Sequence, residues 1–190
     1  MKPSTILAVL GSFAAGALFA LAASDAVARP SSAPSFAPSV VGTGGLAPSV
    51  YTNDVYGFSI IPPAFPKAAK NVGGQAAMFF APVQKEFSNN LNVIVQAAKM
   101  SIDDYVALSK KQFKQLDIKV TSESRKKVAG RDAVMFEYEG KLQEADMKWM
   151  ALAVVDGDRI LLATGTASAA SYDSVAKEFK ASLESFKLTD

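Results

Sequence analysis

The sequence predicts an α+β fold, an α/β/α sandwich in which helices cover both faces of a central antiparallel β-sheet. Three observations carry that expectation. Residues 130–166 alternate with period two: Val134, Phe136 and Tyr138 point one way, and Ala133, Met135 and Glu137 the other. After a polar break at 140–146, Trp149, Ala151, Ala153 and Val155 alternate with Met150, Leu152 and Val154, and a third run occupies 159–165. Such alternation marks strands. Asp156-Gly157 joins the last two runs, and these residue types tolerate the positive φ of a tight antiparallel hairpin. The runs are apolar on both faces at their centre, so both faces require a cover, and amphipathic helices are the cover expected.

Residues 1–28 read as a signal peptide. Lys2 is the only early charge, 6–23 is an unbroken stretch of apolar and small residues, and Ala26-Val27-Ala28 forms an A-x-A cleavage pattern. Ala20-Leu21-Ala22 is an alternative cut. An uncleaved anchor is the competing reading, because the stretch approaches the ~20 residues that span a bilayer. Cleavage leaves no transmembrane span, and without a twin-Arg pair the route is general secretion. The expected location is therefore periplasmic or extracellular. Residues 29–49 hold Pro30, Pro34, Pro38 and Pro48 among serines and glycines, the composition of a disordered linker. Gly42-Thr43-Gly44-Gly45 lacks the Gly-Lys-Ser/Thr ending of a phosphate loop.

Residues 50–190 form the folded domain. Tyr56 to Pro62 reads as a turn entering a short strand, which Pro62-Pro63 ends because neither proline donates to a ladder. Further strands are expected at 76–80, 91–97 and 118–127. The first helix spans 101–116, opened by a Ser101/Asp104 capping box. Asp103 and Asp104 at its start, and Lys110, Lys111 and Lys114 near its end, complement the helix dipole. Its apolar stripe is Ile102, Tyr105, Val106, Leu108, Phe113 and Leu116. The last helix spans 171–186, with Tyr172, Val175, Phe179, Leu183 and Phe186 at spacings of three and four, and Asp173 in its first turn.

Composition removes whole classes of chemistry. The chain has neither Cys nor His. Disulfides, thiolate zinc sites, imidazole metal ligands and Ser-His or Cys-His catalysis are therefore excluded. A net charge of +2 gives no global field toward nucleic acid. Asp103-Asp104 are adjacent on a helix and point about 100° apart, so they cap rather than converge on an ion. Asp156-Gly157-Asp158 opens like a calcium loop, but Arg159-Ile160-Leu161 follows, and a hairpin explains it better.

Charge is segregated along the chain. Lys110, Lys111, Lys114, Lys119, Arg125, Lys126, Lys127 and Arg131 face only Asp117 and Glu123 within their window, a net charge of +6. Residues 132–158 are acidic. The two segments either neutralise each other as a solvated face, or the basic one forms a patch for an anionic partner. No aromatic residues are interleaved with the lysines for base stacking, so nucleic acid is not the expected partner. Trp149, the sole tryptophan, is expected in the core. Met78, Phe79, Phe80 and Phe87 are either core or the lining of an apolar pocket.

The order of elements carries a resemblance. Tyr56-Gly57-Phe58-Ser59-Ile60-Ile61-Pro62, the helix after the early strands, Gly130-Arg131-Asp132-Ala133 entering a long strand, Asp156-Gly157-Asp158-Arg159 at a hairpin, and Tyr172, Phe179 and Ser185-Phe186 at the end together resemble the PsbP/DcrB-like superfamily. The resemblance covers nearly all of residues 50–188. It implies the same sandwich and a mostly non-enzymatic role, as in extrinsic photosystem subunits, envelope proteins such as DcrB, and a nuclear import factor. It adds the thylakoid lumen as an alternative location. Phe65 stands where many relatives carry an aromatic. Lipoprotein members have a cysteine after the signal and photosystem members use histidine at metal sites, so no functional residue carries over. The expected function is an exported non-catalytic binding or accessory module of the cell envelope, with an envelope protein or membrane surface as partner. A carrier of a small apolar ligand, held between sheet and helix, is the alternative. No cofactor is expected.

Overall fold

The computed structural model describes residues 49–65, 67–69, 75–83 and 87–189. The signal peptide expected at 1–28 and, except for Ser49, the linker expected at 29–49 lie outside the described residues. The elements in chain order are β1 (Tyr51–Asn53), β2 (Phe58–Ile60), β3 (Lys67–Ala69), β4 (Ala77–Phe80), β5 (Asn90–Ala97), α1 (Ile102–Gln115), β6 (Lys119–Val128), β7 (Arg131–Leu142), β8 (Ala145–Asp156), β9 (Arg159–Ser168), α2 (Ala169–Glu184) and β10 (Lys187–Leu188). Seven strands form one sheet in the order β3-β4-β5-β9-β8-β7-β6, with every pair antiparallel. The architecture is the expected α+β sandwich.

Period-two alternation sends each strand's side chains to two cores. On one face Ala133, Met135, Met150, Leu152, Leu161 and Ala163 meet Tyr172, Phe179 and Leu183 of α2. On the other, Val134, Phe136, Tyr138, Trp149, Ala153 and Leu162 meet Tyr105, Val106 and Phe113 of α1. A second, three-stranded sheet in the order β1-β2-β10 closes the α2 side. Phe58 of β2 stacks on Phe186 with ring centroids 5.4 Å apart. This small sheet gives no periodic signal in the sequence, because strands of two or three residues complete no pattern. Its anchor is polar: Asn53 Nδ2 donates to the Ala76 carbonyl at 2.8 Å, and the Ile61 amide donates to Ser185 Oγ at 2.8 Å.

Several boundaries depart from the sequence reading. The polar run 140–146 does not break the sheet. β7 and β8 pair through Lys141↔Asp146 and Leu142↔Ala145, and turn at Gln143 and Glu144, both at positive φ. A ladder needs backbone groups rather than apolar side chains, so a solvated hairpin end can be polar throughout. The β8–β9 turn is Gly157-Asp158, with Gly157 at φ 62, the sign that a type II′ turn needs at its first central position. In α1, Ser101 Oγ accepts from the Asp104 amide at 3.1 Å, while the Asp104 carboxylate takes the Ser101 hydroxyl at 2.7 Å. Leu116 leaves the apolar stripe, caps the helix and is exposed. α2 starts two residues early, which puts Asp173 in its second turn.

The tightest approach lies between β9 and α2. A Cβ built on Gly165 would stand 2.6–2.8 Å from three atoms of the Phe179 ring. Gly165 therefore sets how closely α2 seats on the sheet. Gly165→Ala is expected to destabilise the fold by about 1–3 kcal/mol through overpacking, measured by urea unfolding. Adding Phe179→Leu, which shrinks the opposing ring, is expected to return part of that loss. Equal stability of wild type and Gly165→Ala would contradict the packing account.

Candidate functional site

β6 ends the sheet. It pairs with β7 on one side, and all but Val120, Lys126 and Val128 of its residues are exposed. The eight basic residues gather around this edge: Lys119, Arg125, Lys126 and Lys127 on β6, Arg131 at the start of β7, and Lys110, Lys111 and Lys114 on α1. Six of them have carboxylate partners. Lys110 meets Glu123 at 2.7 Å, Lys119 meets Glu139 at 3.0 Å and Arg125 meets Asp103 at 2.7 Å. Lys126 reaches Glu184 at 3.2 Å, Lys127 reaches Asp132 at 2.7 Å and Arg131 reaches Asp156 at 2.8 Å. Among the described residues Lys111 and Lys114 have no ion pair. Only Glu139, Asp132 and Asp156 come from the acidic segment 132–158; Asp103, Glu123 and Glu184 complete the set. The Lys110, Arg125 and Lys126 pairs tie β6 to both helices. Each is solvated, and such pairs are worth about 0–1 kcal/mol.

The second face of the sheet carries a feature that the sequence reading missed. Register places Tyr138, Trp149, Thr166 and Asn90 in one row across β7, β8, β9 and β5, and Phe136, Ala151, Thr164 and Asn92 in the next. All eight are buried. The Trp149 indole is stacked on Tyr138, with centroids 5.3 Å apart, and belongs to the core as expected. Among the described residues its Nε1 has no hydrogen-bond partner, and neither has Asn90 Oδ1. Asn90 Nδ2 donates to the Ser88 carbonyl at 3.0 Å, which leaves its oxygen alone. The missed signal was Asn90, Asn92, Thr164 and Thr166 at alternate positions, the pattern of a solvated strand face. Met78, Phe79, Phe80 and Phe87 do not line one pocket: Phe79 packs toward α2, and Phe87 packs against the opposite core. A cleft of about 460 Å³ opens at the β7–β8 hairpin end beside Leu116 and Asp117 after α1, and it is lined from both faces of the sheet, by Gly140 and Met147 on one and Glu139 and Lys148 on the other.

The carboxylates singled out in the sequence do not converge. Asp103 goes to Arg125 and Asp104 to Ser101. Asp156 accepts from Arg159 Nη2 at 2.7 Å and Nε at 2.9 Å, and from Arg131 Nε at 2.8 Å, while Arg159 Nη1 also donates to the Tyr56 carbonyl at 3.0 Å. This clamp holds the β8–β9 hairpin to the turn before β2. The Arg159 hydrogen bond, joined by Arg131, holds the Asp156 carboxyl below the usual carboxylate range, against the opposing effect of partial burial. Burial raises the phenols of Tyr105, Tyr138 and Tyr172, the last also through Glu137, so all three stay protonated. Among the described residues no group of three His, Cys, Asp or Glu could hold a metal.

These features define a class of protein: an antiparallel α+β sandwich of the PsbP-like kind, with a charged sheet edge and no assembled ionisable centre among the described residues. Particular relatives agree in fold. The solution structure of cyanobacterial PsbP (CyanoP) from Synechocystis sp. PCC 6803 matches with a TM-score of 0.52 at 15% identity, over 80% of this chain and 99% of that one. LpqN, involved in cell envelope biogenesis of Mycobacterium tuberculosis, matches with a TM-score of 0.59 at 10% identity, over 70% and 83%. PA94 of Pseudomonas aeruginosa, a protein of unknown function, matches with a TM-score of 0.51 at 17% identity, over 70% and 90%. Identities this low establish the fold. No family model matches the chain, and no curated protein does.

The Asp156 clamp has a pH signature. A folded-state pKa below the unfolded value of about 3.9 contributes stability that is fully present above that value and is lost as pH falls through the folded one. The difference in melting temperature between wild type and Asp156→Asn is expected to be largest near neutrality and to shrink below about pH 4. Thermal melts between pH 7 and pH 2 check this, and a difference that stays constant across the range would refute the clamp.

Proposed function

We propose that this protein is an exported, non-catalytic accessory module of the cell envelope that docks an acidic protein segment along β6. The observation that carries this reading is the free, exposed edge of β6, flanked by basic side chains. An edge strand offers alternate N–H and C=O groups to an incoming strand, which a lipid surface cannot use in the same way. The unpaired Lys111 and Lys114 supply attraction that the internal ion pairs do not absorb. LpqN's part in envelope biogenesis supports an envelope setting, and the leader-like residues 1–28 support export. The absence of Cys and His and the engagement of the candidate carboxylates in structural pairs support the non-catalytic part of this reading.

The test uses the full chain carrying Lys111→Glu and Lys114→Glu together. Proteins co-purifying with wild type from envelope extract are expected to be recovered at about one-fifth or less with the variant, and to be released by about 0.5 M salt. Anionic phosphatidylglycerol vesicles are expected to bind neither protein. Undiminished recovery with the variant would remove the basic edge as the docking surface, and salt-sensitive vesicle binding by wild type alone would make the partner a membrane.

A further inference from the structure

We propose that the cleft at the β7–β8 hairpin end binds an extended zwitterion, a small molecule with a carboxylate at one end, held by Lys148, and an ammonium at the other, held by Asp117. The site does not depend on the docking of a segment along β6, and its lining replaces the expected apolar ligand with a charged one.

The charges of the cleft set the charge of its ligand. Six of the lining residues are ionic, Lys119, Lys141 and Lys148 against Asp117, Glu139 and Asp146. They sum to zero, so net charge draws in neither a plain anion nor a plain cation. Four of the six engage one another: Lys119 meets Glu139 at 3.0 Å and Lys141 meets Asp146 at 3.7 Å. Among the described residues Lys148 and Asp117 have no ion pair. Lys148 Nζ lies over the Tyr172 ring, 5.5 Å from its centroid. A ring face attracts an ammonium but accepts no strong hydrogen bond, so the three N–H donors remain available to a carboxylate. Asp117, exposed after α1, offers two acceptor oxygens to an ammonium.

The position of these two groups sets the shape of the ligand. β6 begins at Lys119, opposite Glu139, so from Gly140 to Leu142 no strand pairs with the outer side of β7. The two faces of the sheet meet there in one cleft. Asp117 approaches from the α1 side, its carbonyl oxygen 3.7 Å from where a Cβ on Gly140 would stand. Lys148 approaches from the α2 side, with Glu139 beside it on β7. Facing from opposite sides, the two unpaired charges do not neutralise each other, and a compact zwitterion cannot serve both. Leu116 and Met147 also line the cleft and give the methylenes of an extended ligand an apolar wall.

Solvated pairs of this kind are weak, so binding is expected in the millimolar range. The full chain, labelled with ¹⁵N, is titrated with 6-aminohexanoate, with hexanoate and hexylammonium as its singly charged counterparts, and with glycine as the compact zwitterion. 6-Aminohexanoate is expected to shift the backbone amides of Gly140, Met147 and Lys148 saturably, and the other three to bind about fivefold more weakly. Lys148→Gln is expected to weaken 6-aminohexanoate about fivefold and to erase its advantage over hexylammonium. Asp117→Asn, in which Asn tolerates the φ of 53 at that position, is expected to erase the advantage over hexanoate. Absence of a saturable shift with 6-aminohexanoate, equal affinity for all four compounds, or unchanged preferences in both variants overturns the site. The wild-type comparison stands whether or not either variant folds.

Discussion

The structure depends on a sheet whose central strands are apolar on both sides. β8 and β9 have no face that water can wet: Met150, Leu152 and Leu161 need one cover, and Trp149, Ala153 and Leu162 need another. Fully burying such side chains is worth roughly 1.5–3 kcal/mol each, so neither cover is optional. The chain supplies a helix before the long meander and another after it. The first of them, α1, carries the chain from β5 past β9, β8 and β7 to β6 at the far edge. Everything else in the molecule follows from how completely each helix does its half.

The halves are unequal. α2 contacts β8 and β9 over the middle of the sheet, and its seat is so close that position 165 admits only glycine against the Phe179 ring. The β1-β2-β10 sheet fills the remainder of that side with Phe58, Ile60 and Phe186. α1 lies toward β6 and β7, with Phe113 edge-on to Phe136 at 5.8 Å and tilted over Tyr138 at 4.8 Å. Apolar side chains follow α1 across the sheet, and polar ones appear beyond it on β5 and β9. Packing thus explains where the sheet changes character, while the unpaired groups of Trp149 and Asn90 are left without a structural account.

What could be read in advance divides along the same line. Long periodic segments announced themselves, the meander and the stripe of α2 through patterns of ten residues or more, and the Ser101 cap through its own short motif with Asp104. Of the small sheet only β2 was legible, through its turn and the Pro62-Pro63 stop; β1, β10 and their pairing were not, because they are held by Asn53, Ser185 and Phe186 through contacts distant in sequence. In the sequence Arg159 only argues for a hairpin over a calcium loop, and the fold shows it clamping Asp156 to the Tyr56 carbonyl. The polar positions of β5 are ambiguous for a specific reason. Alternation of Asn92 and Gln96 with Leu91, Val93 and Val95 carries the same signature whether the polar side meets bulk water or a buried floor. Period alone cannot tell those two environments apart.

The basic residues also have a meaning that charge counting could not supply. A ten-residue edge strand is an aggregation hazard unless something spoils it for a second copy. β6 carries a register shift between Val120 and Ser122, and it presents lysines and arginine to both sides. Its ion pairs to Asp103 and Glu184 hold it down to the helices above and below. These are the devices that keep one molecule from adding to another, because two such edges would oppose like charges. The same devices admit a strand of opposite sign, for which the repulsion becomes attraction and the outward backbone groups remain available. An edge guarded by positive charge is therefore selective rather than closed. In the proposed role, that selectivity links the protection of the fold to the docking of an acidic segment.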